Sequence, residues 1–532
     1  MITFSRASSG TALAKISYGA ELVTNGTFDT DLTGWGAHSG DGSSAWSSGT
    51  LLFSGVTNAT RSQNITLPAG DTFICTFTLT GNGRVQLGGQ IQGFLPVSSG
   101  ETYTFIATSD GTNQIYLQAF ADGTSFDNVS VRKILFDQPD GTLQLFNHPA
   151  NQPRVEYDYQ GNRLGLLVEE ARTNTIGDSN VFLSDIGTAV SSSAETCPDG
   201  TTTATQVVTS GASTHRIRRT TGAVTTTGVA YAYSVFVKSD EVSYIQLLNG
   251  GDANYFANFD LVNETVGATG AATTGTITKY PNGWYRITAL YDGTGSYTTT
   301  GYIYAAASAS APYGQGANTP GLTFHLFGAQ NEAGTFPTSY IPTSGATATR
   351  SADVASIGVG AFGYNKGAGS VLVVADTIST SADNHQDFRL TGSVGGNSVN
   401  SGSRVGSGSA GQYTTWIQGG GSTVALLTVN NTVSDGAQYK ALYRFAENDF
   451  ALSVSGGSVV SDTAGAMPVS INTLNLGYGY GYLNGHISSI AYYPRRLTDA
   501  QIQKLTQVKA VPTLSLTFDG NSDSYLETSI HG

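Results

Sequence analysis

The side chains best placed to do chemistry in this sequence are aromatic. A flat ring covers the apolar face of a sugar while polar neighbours take its hydroxyls. Trp46 lies in a Ser- and Gly-rich stretch, and Tyr478, Tyr480 and Tyr482 alternate with glycines. These four are the candidate carbohydrate-binding residues, and the three tyrosines would suit the face of a neighbouring subunit equally well. Trp35, directly after Gly34, reads as a core residue. Catalytic groupings are harder to assemble. The 7 histidines are scattered without metal-ligand spacing, and Cys75 and Cys197 make no pair to assist them. No Gly-x-Ser-x-Gly follows a strand and opens a helix as a nucleophile elbow must. A Ser-His-Asp triad stays open, since such groups meet in space and not in sequence. Asp383, His385 and Asp387 fall close together, but in a Ser- and Asn-containing stretch they read as a solvated loop.

The elements that must carry these residues are strands. From Thr72 to Thr80, Phe73, Cys75, Phe77 and Leu79 take one face and Thr72, Thr76, Thr78 and Thr80 the other, the alternation of a half-buried antiparallel strand. Similar runs recur at 114–120, 231–238, 284–291, 369–376 and 450–454. Asn25-Gly26, Asp110-Gly111, Asp122-Gly123, Asp140-Gly141, Asn282-Gly283 and Asn484-Gly485 supply the turns between strands. The fold class is therefore all-β: serial antiparallel β-sandwich modules, which the resemblances given below make jelly rolls. One short C-terminal helix is predicted. Thr498 and Gln501 form a capping box, Leu497 staples onto Ile502, and Leu505 and Val508 continue the stripe to an end near Lys509.

Composition narrows the partners. The chain has 532 residues, too many for one core, and only 12 % are charged, about half the usual share. Its surface must be covered by neutral hydroxyl and amide groups, which suits sugars or other subunits. A net charge of −13 argues against nucleic acid or an anionic membrane. The densest basic cluster, His215, Arg216, Arg218 and Arg219, reads as a solvated strand or loop face. No run of 18 apolar residues suggests membrane insertion, and Met1 to Arg6 lacks the layout of a signal peptide, so folding in a cytoplasm is expected. Cys75 reads as a buried thiol. The expected order is an N-terminal attachment segment 1–17, a jelly roll 18–135, a connector 136–174, a second sandwich 175–333, a Pro-containing linker 334–353, a third sandwich 354–510 and a tail 511–532.

Three groups of phrases carry resemblances. Glu21-Leu22-Val23-Thr24-Asn25-Gly26-Thr27-Phe28, Gly34-Trp35 and Phe126-Asp127-Asn128-Val129-Ser130-Val131 resemble the jelly-roll carbohydrate-binding modules found beside glycan-degrading enzymes. Phe4-Ser5-Arg6-Ala7-Ser8, the run 165–174 from Gly165 to Asn174, and the run 328–343 through Glu332, Pro337 and Tyr340 to Thr343 resemble phage and prophage tail-fibre or head-fibre proteins, where the same phrases occur in the same order. The stretch 483–497 and the capped helix resemble the closing strand and helix of concanavalin-like and laminin-G-like domains, and 450–457 fits an inner strand and turn of that fold.

The resemblances imply a phage fibre or spike subunit located in the virion, without enzyme activity. Its partners would be two further copies in a homotrimer, other virion proteins and host-surface polysaccharide; the alternative is a prophage polysaccharide-binding accessory or depolymerase. The paired glutamates of concanavalin-like β-glucanases have no counterpart, because Glu447 is the one glutamate between 351 and 510. No cofactor is expected beyond a structural calcium implied by the first resemblance, with Glu21 and Asp127 in the comparable places; both acids equally suit water or turn caps. Since the resembling phage proteins run from the first phrase almost directly into the later connector, the first jelly roll reads as an insertion. Residues 1–17 should therefore pack against 134–174.

Overall fold

A computed structural model describes residues 2–93, 97–210, 216–218, 228–249, 252–294, 301–317, 319–378, 385–404, 412–430 and 433–508. Asp383, His215, Arg219 and the tail 511–532 lie outside the described residues. The described residues divide into two compact units, one holding residues 15–142 and the other residues up to 14 together with 143–508.

In the first unit, strand Thr72–Gly81 pairs with Val97–Thr108 on one side and with Ser125–Phe136 on the other. A second sheet runs in the order Ser39–Gly40, Ala59–Asn64, Gln114–Ala119, Gly83–Leu87, Gln90–Gly93. Phe73, Cys75, Phe77 and Leu79 from the first sheet meet Val85, Leu87, Ile115 and Leu117 from the second in one core. Period-2 alternation thus sends every second residue inward from both sheets. Trp35 joins this core, its indole donating to Asn25 O at 3.0 Å.

The other unit holds two more sandwiches. One packs two six-stranded sheets around Val235, Ile245, Phe259, Ile287 and Ile303. The next packs two seven-stranded sheets around Val371, Leu390, Tyr439, Tyr443 and Leu452. Its membership reaches beyond the expected 354–510. Thr3–Ser5 pairs with Val354–Gly358, and Val155–Tyr157 and Arg163–Val168 add onto Gly485–Tyr493. The segments read as an attachment piece and a connector therefore supply edge strands. Runs of three to six residues are too short for alternation to show, so the sequence does not mark them. Segments 1–17 and 134–174 do run together. Arg154 Nη1 donates to Thr11 O at 2.8 Å and Leu13 N to Glu156 Oε1 at 3.2 Å, while in the first unit Ile16, Ser17 and Tyr18 pair with Phe136, Leu135 and Ile134.

The helix spans Asp499–Thr506 and carries the reciprocal capping box of Thr498 and Gln501. Leu497 and Ile502 pack on Leu442 and Ala451. The helix stops before Val508, which is exposed instead of extending the stripe to Lys509.

A buried ionic cluster joins the phrases that resemble phage fibre proteins. Arg6 Nη1 reaches Asp353 Oδ1 at 3.0 Å, and its other donors take His148 O, Pro149 O and Ser8 O. Arg154 Nη2 bonds Asp353 Oδ2 and lies 2.9 Å from Glu169 Oε2. Arg350 Nη2 is 3.5 Å from Glu169 Oε2 and donates to Glu170 O at 2.7 Å. Ser339 N and Oγ each donate to Glu169 at 2.7 Å. Burial alone would raise the Glu169 pKa, but Arg350, Arg154 and Ser339 outweigh it and hold the group at about 2. Beside this cluster Glu332 accepts from Thr338 N and Oγ1, tying the third phrase to its own Pro-containing turn.

Removing one partner of a buried ionic cluster leaves the opposing charge uncompensated. Asp353→Ala should therefore lower the unfolding free energy by about 3–5 kcal/mol, read from urea denaturation of the intact chain. A loss below about 1 kcal/mol, the scale of an exposed ion pair, would show that the cluster does not hold this unit together.

Candidate functional site

On the five-stranded sheet of the first unit, the inward residues Val85, Leu87, Ile115, Leu117 and Ala119 leave their alternate neighbours facing out. Strand register then aligns the outward side chains in two rungs. Ser39, Thr60, Gln118 and Arg84 form one, and Ser62, Tyr116 and Gln86 the other. Neighbouring strands lie about 4.8 Å apart, so each rung offers a polar group at that interval. Arg84 Nε donates to Gln118 Oε1 at 2.6 Å, Gln114 Nε2 to Ser62 Oγ at 3.1 Å, and the Tyr116 hydroxyl to Gln114 Oε1. These bonds fix the side chains before any ligand arrives. A groove of about 300 Å³ runs over Ser39, Thr60, Ser62, Gln86, Tyr116 and Gln118. It presents hydroxyls, amides and one flat ring without a free charge at its centre. The signal for it is the strict alternation of 114–120, which marks a strand but not a site.

Trp46, in the same unit, sits on strand Ser43–Ser47 and is 42 % exposed. Its Nε1 donates to Phe28 O at 2.6 Å, which anchors the partly exposed indole.

The three tyrosines belong to the third sandwich. Tyr478 and Tyr482 form a β-bridge, their rings stacked at 6.3 Å, and Gly479 N donates to Gly481 O at 2.9 Å, so Tyr480 stands at the tip of a narrow turn. A Cβ at 479 would lie 2.6 Å from Gln386 Oε1, so any larger residue there needs the Gln386 side chain to shift. Beneath the turn one rung crosses the sheet through Ser356, Asn475, Arg389, Asn400, Trp416 and Leu426. The Arg389 guanidinium lies 4.4 Å from the Tyr480 ring centre and the Trp416 ring 5.7 Å from it, stacked. Arg389 and Trp416 stand two strands apart, about 9.6 Å, so the Tyr480 ring fits between them. The Tyr480 hydroxyl donates to Gln418 Oε1 at 2.9 Å. Tyr480 is thus fixed by its neighbours and shows its outer edge. Trp416 and Arg389 were missed by the sequence reading, since the partners of a loop aromatic are set by cross-sheet register and not by local spacing.

Glu21 and Asp127 are not gathered into a metal site. Glu21 accepts from Val23 N, Val131 N, Leu22 N, Ser130 Oγ and Arg132 Nε. Those donors, set against the effect of burial, hold its pKa below the ordinary value. Asp127 accepts from Asn128 N and Nδ2. This donor set fits carboxylates held by N–H and O–H groups better than a cation, and among the described residues no group of three or more His, Cys, Asp or Glu could hold a metal.

His385 and Asp387, read above as solvated, are buried. Asp387 accepts hydrogen bonds from the Tyr413 and Tyr439 hydroxyls, both at 2.6 Å. Both tyrosines are remote in sequence, so nothing near Asp387 announces that its polar atoms will be satisfied in a core. Burial pushes its pKa up to about 7 although the tyrosines oppose the shift.

Neither a family model nor a curated protein matches the sequence. Among solved structures, the chain is similar to the CBM40 of the IT-sialidase from Ruminococcus gnavus, at 12% identity over 27% of this chain and 84% of that one, with a TM-score of 0.24. It is similar to the tandem CBM22 domains of Xyn10C from Paenibacillus barcinonensis, at 13% identity over 59% of this chain and 98% of that one, with a TM-score of 0.20. Domains LG4-5 of the mouse laminin alpha1 chain match at 10% identity over 63% of this chain and 93% of that one, with a TM-score of 0.19.

The raised pKa of Asp387 has a signed consequence. Between pH 3.8 and about 7 the unfolded chain ionises this carboxyl while the folded chain keeps it protonated. Its favourable contribution is complete below pH 3.8 and is lost as the pH rises towards 7. Asp387→Asn, with no charge to bury, should flatten the fall in thermal stability across that window. An unchanged slope in a pH series of melting curves would contradict the assignment.

Proposed function

We propose that this chain is a non-catalytic, glycan-binding subunit of a tailed-phage fibre or spike, and that the groove on the five-stranded sheet holds polysaccharide. The observation that carries the reading is the pair of rungs Ser39–Thr60–Gln118–Arg84 and Ser62–Tyr116–Gln86. Hydroxyls and amides at strand intervals match a chain whose hydroxyls repeat along its length, and the Tyr116 ring supplies an apolar face for one sugar. The internal hydrogen bonds of the rungs reduce the ordering cost of binding. Trp46 and the Tyr480 turn are secondary contact points on the surfaces they occupy.

Absence of catalysis in this reading rests on how the carboxylates are engaged. Glu169, Asp353 and Asp387 are buried in internal networks, and Glu21 is held by protein donors. The phage assignment rests on the resemblance of the phrases around Arg6, Glu169 and Glu332, which in the fold meet at the ionic cluster and its border. No resident cofactor enters the proposal. A shallow groove gives weak affinity per site, so three copies on one fibre would raise avidity through effective concentration. A chain with only 12 % charged residues can bury neutral area between subunits at small desolvation cost, which supports the homotrimer.

The test is a titration of intact protein with host-surface polysaccharide. Tyr116→Ala should weaken binding about tenfold, roughly 1.4 kcal/mol, with an unaltered melting temperature, because the ring lies outside the core. Unchanged binding would remove the groove from the proposal, and release of reducing ends from the polysaccharide would favour a depolymerase. Light scattering should give three times the chain mass of 55.3 kDa. A stable monomer at micromolar concentration would rule out the trimer.

A further inference from the structure

Within the unit that holds the second and third sandwiches, a cavity of about 490 Å³ opens between them. One wall is the edge hairpin that Val155–Tyr157 and Arg163–Val168 add to the third sandwich, and the other is the end of strand Thr273–Lys279 with the start of Tyr285–Tyr291. The volume lies within the usual range for small-ligand pockets, and junctions between domains are where such pockets form.

Tyrosine rings flank the opening. The Lys279 ammonium sits 5.2 Å from the centre of the Tyr159 ring and 5.8 Å from that of Tyr285, and it is paired with Glu264. One cation thereby fixes two rings, one from the turn of the edge hairpin and one from strand Tyr285–Tyr291. Tyr159 remains 40 % exposed and offers its open face.

On the hairpin wall Glu156 Oε2 lies 2.7 Å from His486 Nε2, and His486 Nδ1 lies 2.8 Å from Asp376 Oδ1. Burial works against the imidazolium, but the two carboxylates prevail and hold it protonated well above neutrality, at about 10. Deeper in, buried Arg286 donates to Ser234 Oγ and Thr338 O.

The ionised groups lining the cavity are four carboxylates, Glu156, Asp158, Glu169 and Glu264, and three cations, Lys279, Arg286 and His486. Asp376, behind His486, adds a further negative charge. Glu169 is in turn paired with Arg154 and Arg350, Lys279 with Glu264, and His486 with Glu156 and Asp376, while Arg286 donates to Ser234 Oγ and Thr338 O. The cations lining the cavity are thus already engaged and none is left over for the carboxylate of an acidic sugar, while ring faces and fixed donors and acceptors remain for hydroxyls.

We propose that this cavity is a second carbohydrate site, separate from the sheet groove, which takes a short uncharged oligosaccharide against Tyr159 and Tyr285. It does not depend on the groove reading. The experiment therefore uses the full-length chain carrying Tyr116→Ala, titrated calorimetrically with panels of neutral oligosaccharides (gluco-, galacto- and manno-configured trisaccharides) and with trigalacturonic acid as the acidic probe. At least one neutral trisaccharide should bind, and trigalacturonic acid should bind at least tenfold more weakly than that ligand. Adding Tyr159→Ala should weaken the neutral ligand about tenfold, whereas Tyr159→Phe should retain it; Tyr159 is too exposed for either change to unfold the chain, and a melting curve verifies this. Failure of every neutral trisaccharide to bind, equal binding of the acidic probe, or indifference to Tyr159→Ala would each overturn the proposal. None of these outcomes bears on whether Tyr116 holds polysaccharide in the parent chain.

Discussion

A guanidinium taken out of water is tolerable only when carboxylates and carbonyls replace its hydration, and this chain buries three of them together. Arg6, Arg154 and Arg350 meet Asp353 and Glu169, and carbonyls of His148, Pro149, Thr11 and Glu170 take further donors. Each carboxylate serves more than one arginine, so no part of the arrangement is stable by itself. Arg6 and Asp353 lie 347 positions apart. The cluster therefore ties the beginning of the chain, the segment after the first sandwich and the segment between the other two into one cooperative element. Hydrogen bonds from Asn174 to Ile341 O and from Thr11 to Tyr340 O extend it into the neighbouring turns.

Such a hub also explains how the outer surfaces can be so sparing in charge. With the strongest electrostatic interactions placed inside, strand faces are free to present threonine, serine, glutamine and tyrosine. The two sugar sites proposed above use that freedom differently. In the groove, polar groups are arranged by strand register. In the cavity, two tyrosines are positioned by a lysine between them and the hairpin wall by a protonated histidine held between two acids.

What could be read in the sequence followed local order. The Thr498–Gln501 capping box, the inward face of 72–80 and the buried Trp35 are encoded by neighbours within a few residues, and the structure places them as expected. Features set by remote partners were not legible. Asp387 looks like a loop acid until Tyr413 and Tyr439 are brought to it, and Trp416 acquires meaning only when Tyr480 is folded over the same rung. Thr3–Ser5 is too short to be seen as a strand until Val354–Gly358 supplies its hydrogen bonds. The tyrosine alternation at 478–482 marked a place of interest, but its spacing could not show that the middle ring would be wedged between a guanidinium and an indole.

The pairing of Thr3–Ser5 with Val354–Gly358 sets an order of events during protein synthesis. Residues 3–5 must wait, at about 5–20 residues per second, until some 350 more have left the ribosome before their strand has a partner. The sandwich within 15–142 has central pairings such as Thr72–Gly81 with Val97–Thr108 and Ala59–Asn64 with Gln114–Ala119 inside its own span, and these can form early, ahead of the chain that follows. The third sandwich is the last to finish, and until then its exposed strand edges are open to the same strands of other nascent copies. A polysome bearing several such chains would hold those edges close together, so assembly of this protein and its misassembly draw on the same interval.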